Sequence, residues 1–200
     1  MFPKSSVLPN GLRPLARASA LALCGLAFAG CTTMPPDGRT GVATTKASVD
    51  AQSDATLSKL YSDVPGAREI GSTAKGILVF PAVVGGSFVV GGEYGRGALR
   101  SADRARAYYS IAVASVGWQA GVQSKAIVYM FTTTDALEKF RASKGWTAGV
   151  DATVAVANVG ANGSVDTNTM NQAVVGFVFA NAGLEVGASL QGMKITEAPL

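Results

Sequence analysis

The 200-residue sequence contains no histidine and only two cysteines, Cys24 and Cys31. Without histidine the chain lacks the commonest general base, which excludes Ser-His-Asp and Cys-His mechanisms and also ordinary zinc sites. Both cysteines lie in an N-terminal segment, where we expect one to be removed and the other to be modified. No thiol then remains for a disulfide, a metal or a nucleophile. We therefore expect a domain that needs no cofactor and is stabilised by its core alone.

The chain also lacks an apolar run long enough to cross a membrane. Its N-terminal run, residues 18–30, has 13 residues, whereas a spanning helix needs about 20. Three cations, Lys4, Arg13 and Arg17, precede the run, and an Ala-Gly pair precedes Cys31. This order of a basic region, a short apolar region and small residues is typical of a secretory signal peptide. The cysteine directly after the small pair resembles the lipobox of bacterial lipoproteins, in which the thiol is acylated, commonly with palmitate.

We therefore expect residues 1–30 to be a signal peptide and Cys31 to be the lipid-attachment residue. The alternative is an ordinary signal peptide followed by an incidental cysteine. Thr32 stands where an aspartate would favour retention in the inner membrane of many Gram-negative bacteria. We expect an exported protein that is lipid-anchored to the outer membrane, with its domain in the periplasm or at the cell surface.

Most of the net positive charge of the chain comes from this N-terminal segment. The sequence has 17 basic and 13 acidic residues, with a pI of about 9.2. Cleavage before Cys31 would remove Lys4, Arg13 and Arg17, leaving 14 basic against 13 acidic residues. A mature chain of nearly neutral charge gives no reason to expect a nucleic-acid partner.

The remaining chain divides into a short polar stretch and one domain. Residues 31–50 are small, polar and marked by two prolines, which predicts a lipidated N-terminus and a flexible tether. Residues 51–200 are long enough for one domain with a sizeable core.

An amphipathic helix is predicted at the start of this domain. Within residues 51–64, the apolar residues Leu57, Leu60, Tyr61 and Val64 recur at the spacing of one helical face. Such a face either packs on a sheet or binds a membrane surface, and the spacing alone leaves both open.

From Gly76 onward the sequence is typical of β-structure. Alternation of apolar and polar residues is cleanest in 150–157 and 184–191, which predicts half-buried antiparallel strands. One helix after Asp135 interrupts the strands, and the 24 glycines favour strong bending of the sheet. The predicted fold is α+β: one or two N-terminal helices on a glycine-rich, strongly curved antiparallel sheet of about eight strands, barrel- or sandwich-like, with one inserted helix.

Two motifs with the composition of ligand sites lack the context of one. The glycine-rich residues 91–97 lack the following helix and the Gly-Lys-Ser/Thr ending of a phosphate-binding loop. The oxygen-rich residues 166–168 lack the acidic spacing of a calcium loop, so we expect no metal. A cationic stretch is more suggestive, because such a patch binds anionic head groups, although a solvated hairpin is the alternative. Its residues are Arg96, Arg100, Arg104 and Arg106, with Lys75 and Lys125 as possible neighbours.

Many short motifs occur in one order that is similar to the SYLF domain family, a lipid-binding and actin-binding module also called the Ysc-type domain. The resemblance spans residues 52–197, and its specificity rests on the number and order of the motifs. The matching stretches are 74–81, 91–95, 108–110, 136–140, 145–152, 166–169, 175–179 and 183–184.

This resemblance implies a non-catalytic domain that contacts membrane lipids. Because a bacterial envelope holds little phosphoinositide and no actin, we expect these lipids to be anionic phospholipids. Eukaryotic members bind phosphoinositides, and bacterial members are exported and often lipoproteins. A structural lipoprotein that binds an envelope protein and no free lipid is the alternative. The family's lipid-binding elements, carried over with the cationic stretch, correspond to Leu57, Lys59, Leu60, Tyr61, Arg68, Lys75, Arg100, Arg104 and Arg106.

Overall fold

The computed structural model describes residues 45–200, with several gaps. The gaps are 88–89, 104, 117–121, 158–164, 181–182 and 185–187. The expected signal peptide, Cys31, the tether as far as residue 44, and Arg104 therefore lie outside the described residues.

Thirteen helices and strands follow one another in the described chain. They are α1 (Lys46–Asp63), α2 (Pro65–Thr73), β1 (Gly76–Ser87), β2 (Val90–Ser101), β3 (Ala107–Val116), β4 (Val122–Phe131), α3 (Thr134–Ala142), β5 (Trp146–Thr147), β6 (Ala155–Val156), α4 (Thr167–Met170), β7 (Val174–Ala180), β8 (Gly183–Leu184) and β9 (Lys194–Glu197).

The strands form one strongly curved sheet, in the order β5-β9-β3-β2-β1-β4-β7-β6, with β8 paired to β7. The long strands β1 to β4 form its centre. All pairs are antiparallel except β6 with β7, which is parallel. The predicted α+β class, with helices on a curved sheet of about eight strands, is confirmed, and the sheet is mixed where the sequence predicted it to be wholly antiparallel.

Each face of the sheet has its own apolar core. The inner face, defined here as the one that contacts α3, buries aromatic side chains such as Phe80, Tyr129 and Trp146. The outer face contacts α1 and α2, and buries Val79, Val128 and Phe177, among others, beneath them. Because alternate residues of a strand point to opposite faces, the two cores use neighbouring residues of the same strands.

Strand β1 continues through Pro81, although a proline within a sheet is usually confined to an edge strand or a bulge. The pairing of β1 shifts register between Val79 and Ala82 towards β2, and between Phe80 and Val83 towards β4. A proline cannot donate a ladder hydrogen bond, and an irregularity of this kind accommodates it. The strand therefore reaches Ser87 and extends the centre of the sheet.

The prediction of a strand over residues 150–157 is mostly wrong. Gly149, with a φ of 82°, belongs to a turn that carries Val150 at its tip, and only Ala155–Val156 is a strand. The side chain of Asp151 accepts a hydrogen bond from the backbone N–H of Thr147, which closes the turn. The local turn chemistry thus overrides the alternating pattern.

Helix α1 begins earlier than its apolar spacing predicted. Thr45 caps it by accepting a hydrogen bond from the Ser48 backbone N–H, and the Ser48 hydroxyl in turn accepts one from Thr45. Residues 46–50, predicted as the end of the tether, are therefore helical. No helix in the described part of the chain has the length and hydropathy needed to span a membrane.

Candidate functional site

The apolar face of α1, one of the predicted lipid-binding elements, packs on the sheet. Leu60 is fully buried and Leu57 nearly so, and both belong to the outer-face core. Tyr61 lies partly buried at the edge of the same core. Of the two roles that the helical spacing left open, packing on the sheet is the one that the structure has.

Two predicted residues meet where α1 turns into α2. The Arg68 guanidinium carbon lies 5.2 Å from the centre of the Tyr61 ring, within the range of a cation–π contact. The ring lies so close to Gly71 that a Cβ on this glycine would overlap the phenol oxygen. Burial raises the pKa of Tyr61 above its ordinary value, while the positive charge of Arg68 opposes the shift. Tyr61 and Arg68 thus form an aromatic and cationic corner, with the exposed Arg68 on its solvent side.

Two more predicted cations lie on the exposed side of this helical layer. Lys59 forms an ion pair with Asp63, one turn along α1. Lys75 follows α2 and is exposed, with its backbone N–H donating to the Phe131 carbonyl at 2.8 Å. Within the described part of the chain, neither Arg68 nor Lys75 has a carboxylate in ion-pair distance. These two cations are therefore available to an anionic ligand.

The predicted patch around Arg100 and Arg106 is instead neutralised by α1. Arg106 lies 2.9 Å from Asp50 and 3.3 Å from Asp54, measured between guanidinium nitrogen and carboxylate oxygen. Arg100 also pairs with Asp54. Burial lowers the pKa of Arg100, with the neighbouring Arg106 acting in the same direction and Asp50 opposing it. We call these four residues the helix–sheet charge cluster, and its arrangement is that of an anchor for α1.

Tyr108 extends the cluster towards the start of α1. Its hydroxyl donates to Asp50 at 3.2 Å, and the Lys46 ammonium lies 5.7 Å from the centre of its ring. Burial and the bond to the Asp50 carboxylate raise the pKa of Tyr108. The N-terminus of α1 is therefore fixed to the outer face of β3.

Lys125, offered as a neighbour of the cationic patch, lies elsewhere. It points to the inner face and forms an ion pair with Glu93 at 2.8 Å. The predicted site therefore separates into three parts: the Tyr61–Arg68 corner with Lys75, the helix–sheet charge cluster, and side chains committed to the core. The sequence could not reveal the pairing of β2 cations with α1 carboxylates, because more than 40 residues separate the partners.

The sequence also missed an exposed apolar stretch on the outer face. Val84 of β1 and Tyr94 of β2 are direct partners in the sheet, with 46% and 50% of their surfaces exposed. Helix α1 crosses the sheet farther along the strands, above Ala98 and Val79, which are fully buried. Both residues lie in the sequence after Gly76 that is typical of β-structure, and an alternating pattern does not say where a covering helix ends.

No group of three or more histidine, cysteine or acidic side chains in the described chain has the arrangement of a metal site. The glycine-rich residues 91–97 belong to strand β2.

Comparison with models of protein families gives a match to part of the domain. The model of the Ysc84 family, described as a Las17-binding protein and actin regulator, matches residues 112–199. This stretch runs from the second half of β3 to β9 and does not include α1 or α2. No curated protein matches the chain. The C-terminal part of the domain is thus similar to the SYLF-type domain, in agreement with the later motifs of the sequence.

Proposed function

We propose that this chain is an exported envelope lipoprotein whose domain binds anionic phospholipid surfaces and catalyses no reaction. The observation that carries this proposal is the match of residues 112–199 to the Ysc84 family, which implies a domain of the lipid- and actin-binding type. An exported bacterial protein meets no actin, so lipid is the part of the family's properties that transfers to this chain.

The described surface supports lipid contact at the Tyr61–Arg68 corner. Arg68 and Lys75 are exposed cations without a carboxylate partner among the described residues, and Tyr61 offers a ring beside Arg68. Cations near an anionic leaflet contribute about 1 kcal/mol each, and tyrosine is enriched at membrane interfaces. The other predicted lipid-binding residues hold α1 on the sheet and are not proposed to contact lipid. Leu57 and Leu60 do so in the core, and Arg100 and Arg106 do so through ion pairs.

Co-sedimentation of the full chain carrying Cys31→Ser tests this function. We expect it to sediment with phosphatidylglycerol or cardiolipin vesicles at low salt and much less at high salt, because salt screens exposed charges. Arg68→Gln combined with Lys75→Gln should weaken binding about 30-fold, because it removes two cations that contribute about 1 kcal/mol each. The matched control, Lys139→Gln on α3, removes an exposed lysine elsewhere and should have little effect. Absence of sedimentation with every anionic vesicle would overturn the proposal.

The anchor at Cys31 is a separate part of the proposal. We propose that the protein is held in the outer membrane by lipid on this residue, on the strength of the lipobox-like pattern and of Thr32. Fractionation of cells that express the wild-type chain and Cys31→Ser tests it. The substituted protein should leave the membrane fraction with its domain folded. Equal retention of both proteins would contradict an anchor on Cys31.

A second candidate is a lipoprotein that binds another envelope protein and no free lipid. One observation favours it: along the edge of β3 that faces β9, no strand among the described residues pairs with β3 beyond Ala112. This edge, Val113–Val116, carries neither charge nor proline, the usual protection against strand pairing. Crosslinks to one envelope protein in intact cells, with no vesicle binding in vitro, would favour this function.

A further inference from the structure

The outer face of the sheet carries a continuous line of side chains that α1 leaves uncovered. Lys194, Ala112, Tyr94, Val84 and Ser124 are successive partners across β9, β3, β2, β1 and β4, and we call them the open row. All five are exposed. On β2, the fully buried Ala98 lies four positions beyond Tyr94, a distance of about 13 Å along a strand. The row is therefore a surface of its own, beside the helical layer.

The chemistry of the open row is apolar and cationic. Val84 and Tyr94 supply its large side chains, and Lys194 stands at its end. Arg96 lies on the same face, one pair closer to α1. Among the described residues of the row and its neighbouring pairs, no carboxylate points to this face, since Glu93 turns inwards to Lys125.

The shape of this surface fits contact with a lipid surface better than contact with a protein partner. The side chains beside Val84 and Tyr94 are short, namely those of Ala112 and Ser124, and the next pair is Ala114 with Gly92. The two large side chains therefore project from a shallow face. Protein hot spots are typically centred on pockets, whereas tyrosine and cations on an exposed face are typical of the membrane interface.

The length of the chain before the described domain identifies the surface within reach. Helix α1 begins against Tyr108, on the same face and the same strand as Ala112. The 13 residues between Cys31 and Thr45 span at most about 45 Å. If Cys31 carries lipid, the leaflet is held near β3 at a high effective concentration, so even a weak surface contact is populated.

We propose that the open row is a second membrane-contact surface, by which the domain lies on an anionic phospholipid leaflet. This rests on the proposed lipid-binding function and adds a surface that is separate from the Tyr61–Arg68 corner. The cations Arg96 and Lys194 face the lipid head groups, while Val84 and Tyr94 enter the interface. The row thereby orients the tethered domain.

The test uses the full chain carrying Cys31→Ser with two matched substitutions. Val84→Asp places a carboxylate in the open row, whereas Val150→Asp makes the same change at a valine that is 78% exposed on the turn after β5. With vesicles of equal parts phosphatidylcholine and phosphatidylglycerol, we expect Val84→Asp to bind about tenfold more weakly and Val150→Asp to bind like the parent. Lys194→Gln, a surface change that should not affect folding, is expected to weaken binding about fivefold. Thermal unfolding of each variant verifies the fold.

The outcomes separate this inference from the proposed function. If the parent chain fails to bind anionic vesicles, the lipid-binding function falls and the inference falls with it. If the parent binds and both Val84→Asp and Lys194→Gln bind as tightly as the parent, the inference about the open row is overturned. The proposed lipid-binding function then stands. Loss of a specific crosslink in cells on Val84→Asp, with vesicle binding unchanged, would assign the row to a protein partner and also overturn the inference.

Discussion

Two apolar surfaces of this domain differ in whether another part of the fold covers them. Leu57 and Leu60 on α1 have the spacing of a membrane-binding helix, yet they are buried against the sheet. Val84 and Tyr94 lie in the β-type sequence after Gly76, and about half of each surface is exposed although both side chains are apolar or aromatic. An apolar pattern therefore predicts which side of a helix or strand is apolar, but it does not predict which partner covers that side.

The charges divide in the same way. Beneath α1, the cations Arg100 and Arg106 are paired with Asp50 and Asp54 of the helix. Near the open row, the described face holds Arg96 and Lys194 without a carboxylate. The covered half of the outer face is therefore expected to carry stability, and the open half to carry binding.

The largest expected effect comes from the covered half. Leu60→Ala removes a fully buried side chain from the outer-face core and should lower the free energy of unfolding by about 2–5 kcal/mol. Val84→Ala in the open row should change it by less than about 0.5 kcal/mol. Urea denaturation of both variants measures the contrast. Equal losses would mean that the row is part of the core.

The helix–sheet charge cluster should have an intermediate effect. Asp54→Ala leaves the partly buried Arg100 and Arg106 without one carboxylate, and we expect a loss of about 1–2 kcal/mol. Asp63→Ala, on the same helix, breaks only the exposed pair with Lys59 and should cost about 0.5 kcal/mol or less. Chemical denaturation at neutral pH compares them. A cost for Asp63→Ala that matched Asp54→Ala would argue against the cluster as the anchor of α1.

A smaller effect is expected in acid, at the contact between α3 and the end of β2. Hydrogen bonds from Arg141, and then from Ser101, hold the pKa of Asp103 well below its usual range. A folded-state pKa below the unfolded value of about 4 stabilises the protein above that pH, and this contribution disappears as the pH falls further. Asp103→Asn should therefore be less stable than the wild type at neutral pH, with the difference shrinking below about pH 4.

Thermal unfolding across a pH series verifies this sign. Asp135→Asn, which affects an exposed pair with Lys139 within α3, serves as the control. A stability difference for Asp103→Asn that grew as the pH fell would contradict the assignment.

Much of the fold was predictable because it depends on local patterns. The helix containing Leu57 and Leu60, the strands after Gly76 and the inserted helix all follow from periodicity and composition. The turn at Gly149 was not predicted, because the alternation of residues 150–157 imitates a strand while Gly149 and Asp151 close a turn. Register and turn chemistry decide such cases, and neither is contained in an alternating pattern.

The candidate site was less predictable than the fold. Exposed cations such as Arg68 and Lys75 could be named from the sequence, since a charged residue next to an amphipathic helix is normally solvated. The neutralisation of Arg106 by Asp50 and the line from Lys194 to Ser124 depend on strand order and on the path of α1. These are long-range properties, and a single sequence does not state them.

Depth of insertion at three positions tests the central claim, that the outer-face side of the domain contacts the lipid surface. Full chains carrying Cys24→Ser and Cys31→Ser, with one of Val84→Cys, Ser58→Cys or Val150→Cys, are labelled with a fluorophore and mixed with phosphatidylglycerol vesicles that contain brominated lipid. We expect strong quenching of the label at position 84 in the open row, weaker quenching at position 58 on the exposed side of α1, and none at position 150 on the turn after β5. Quenching at the Val150 position that equals or exceeds quenching at the Val84 position would contradict it.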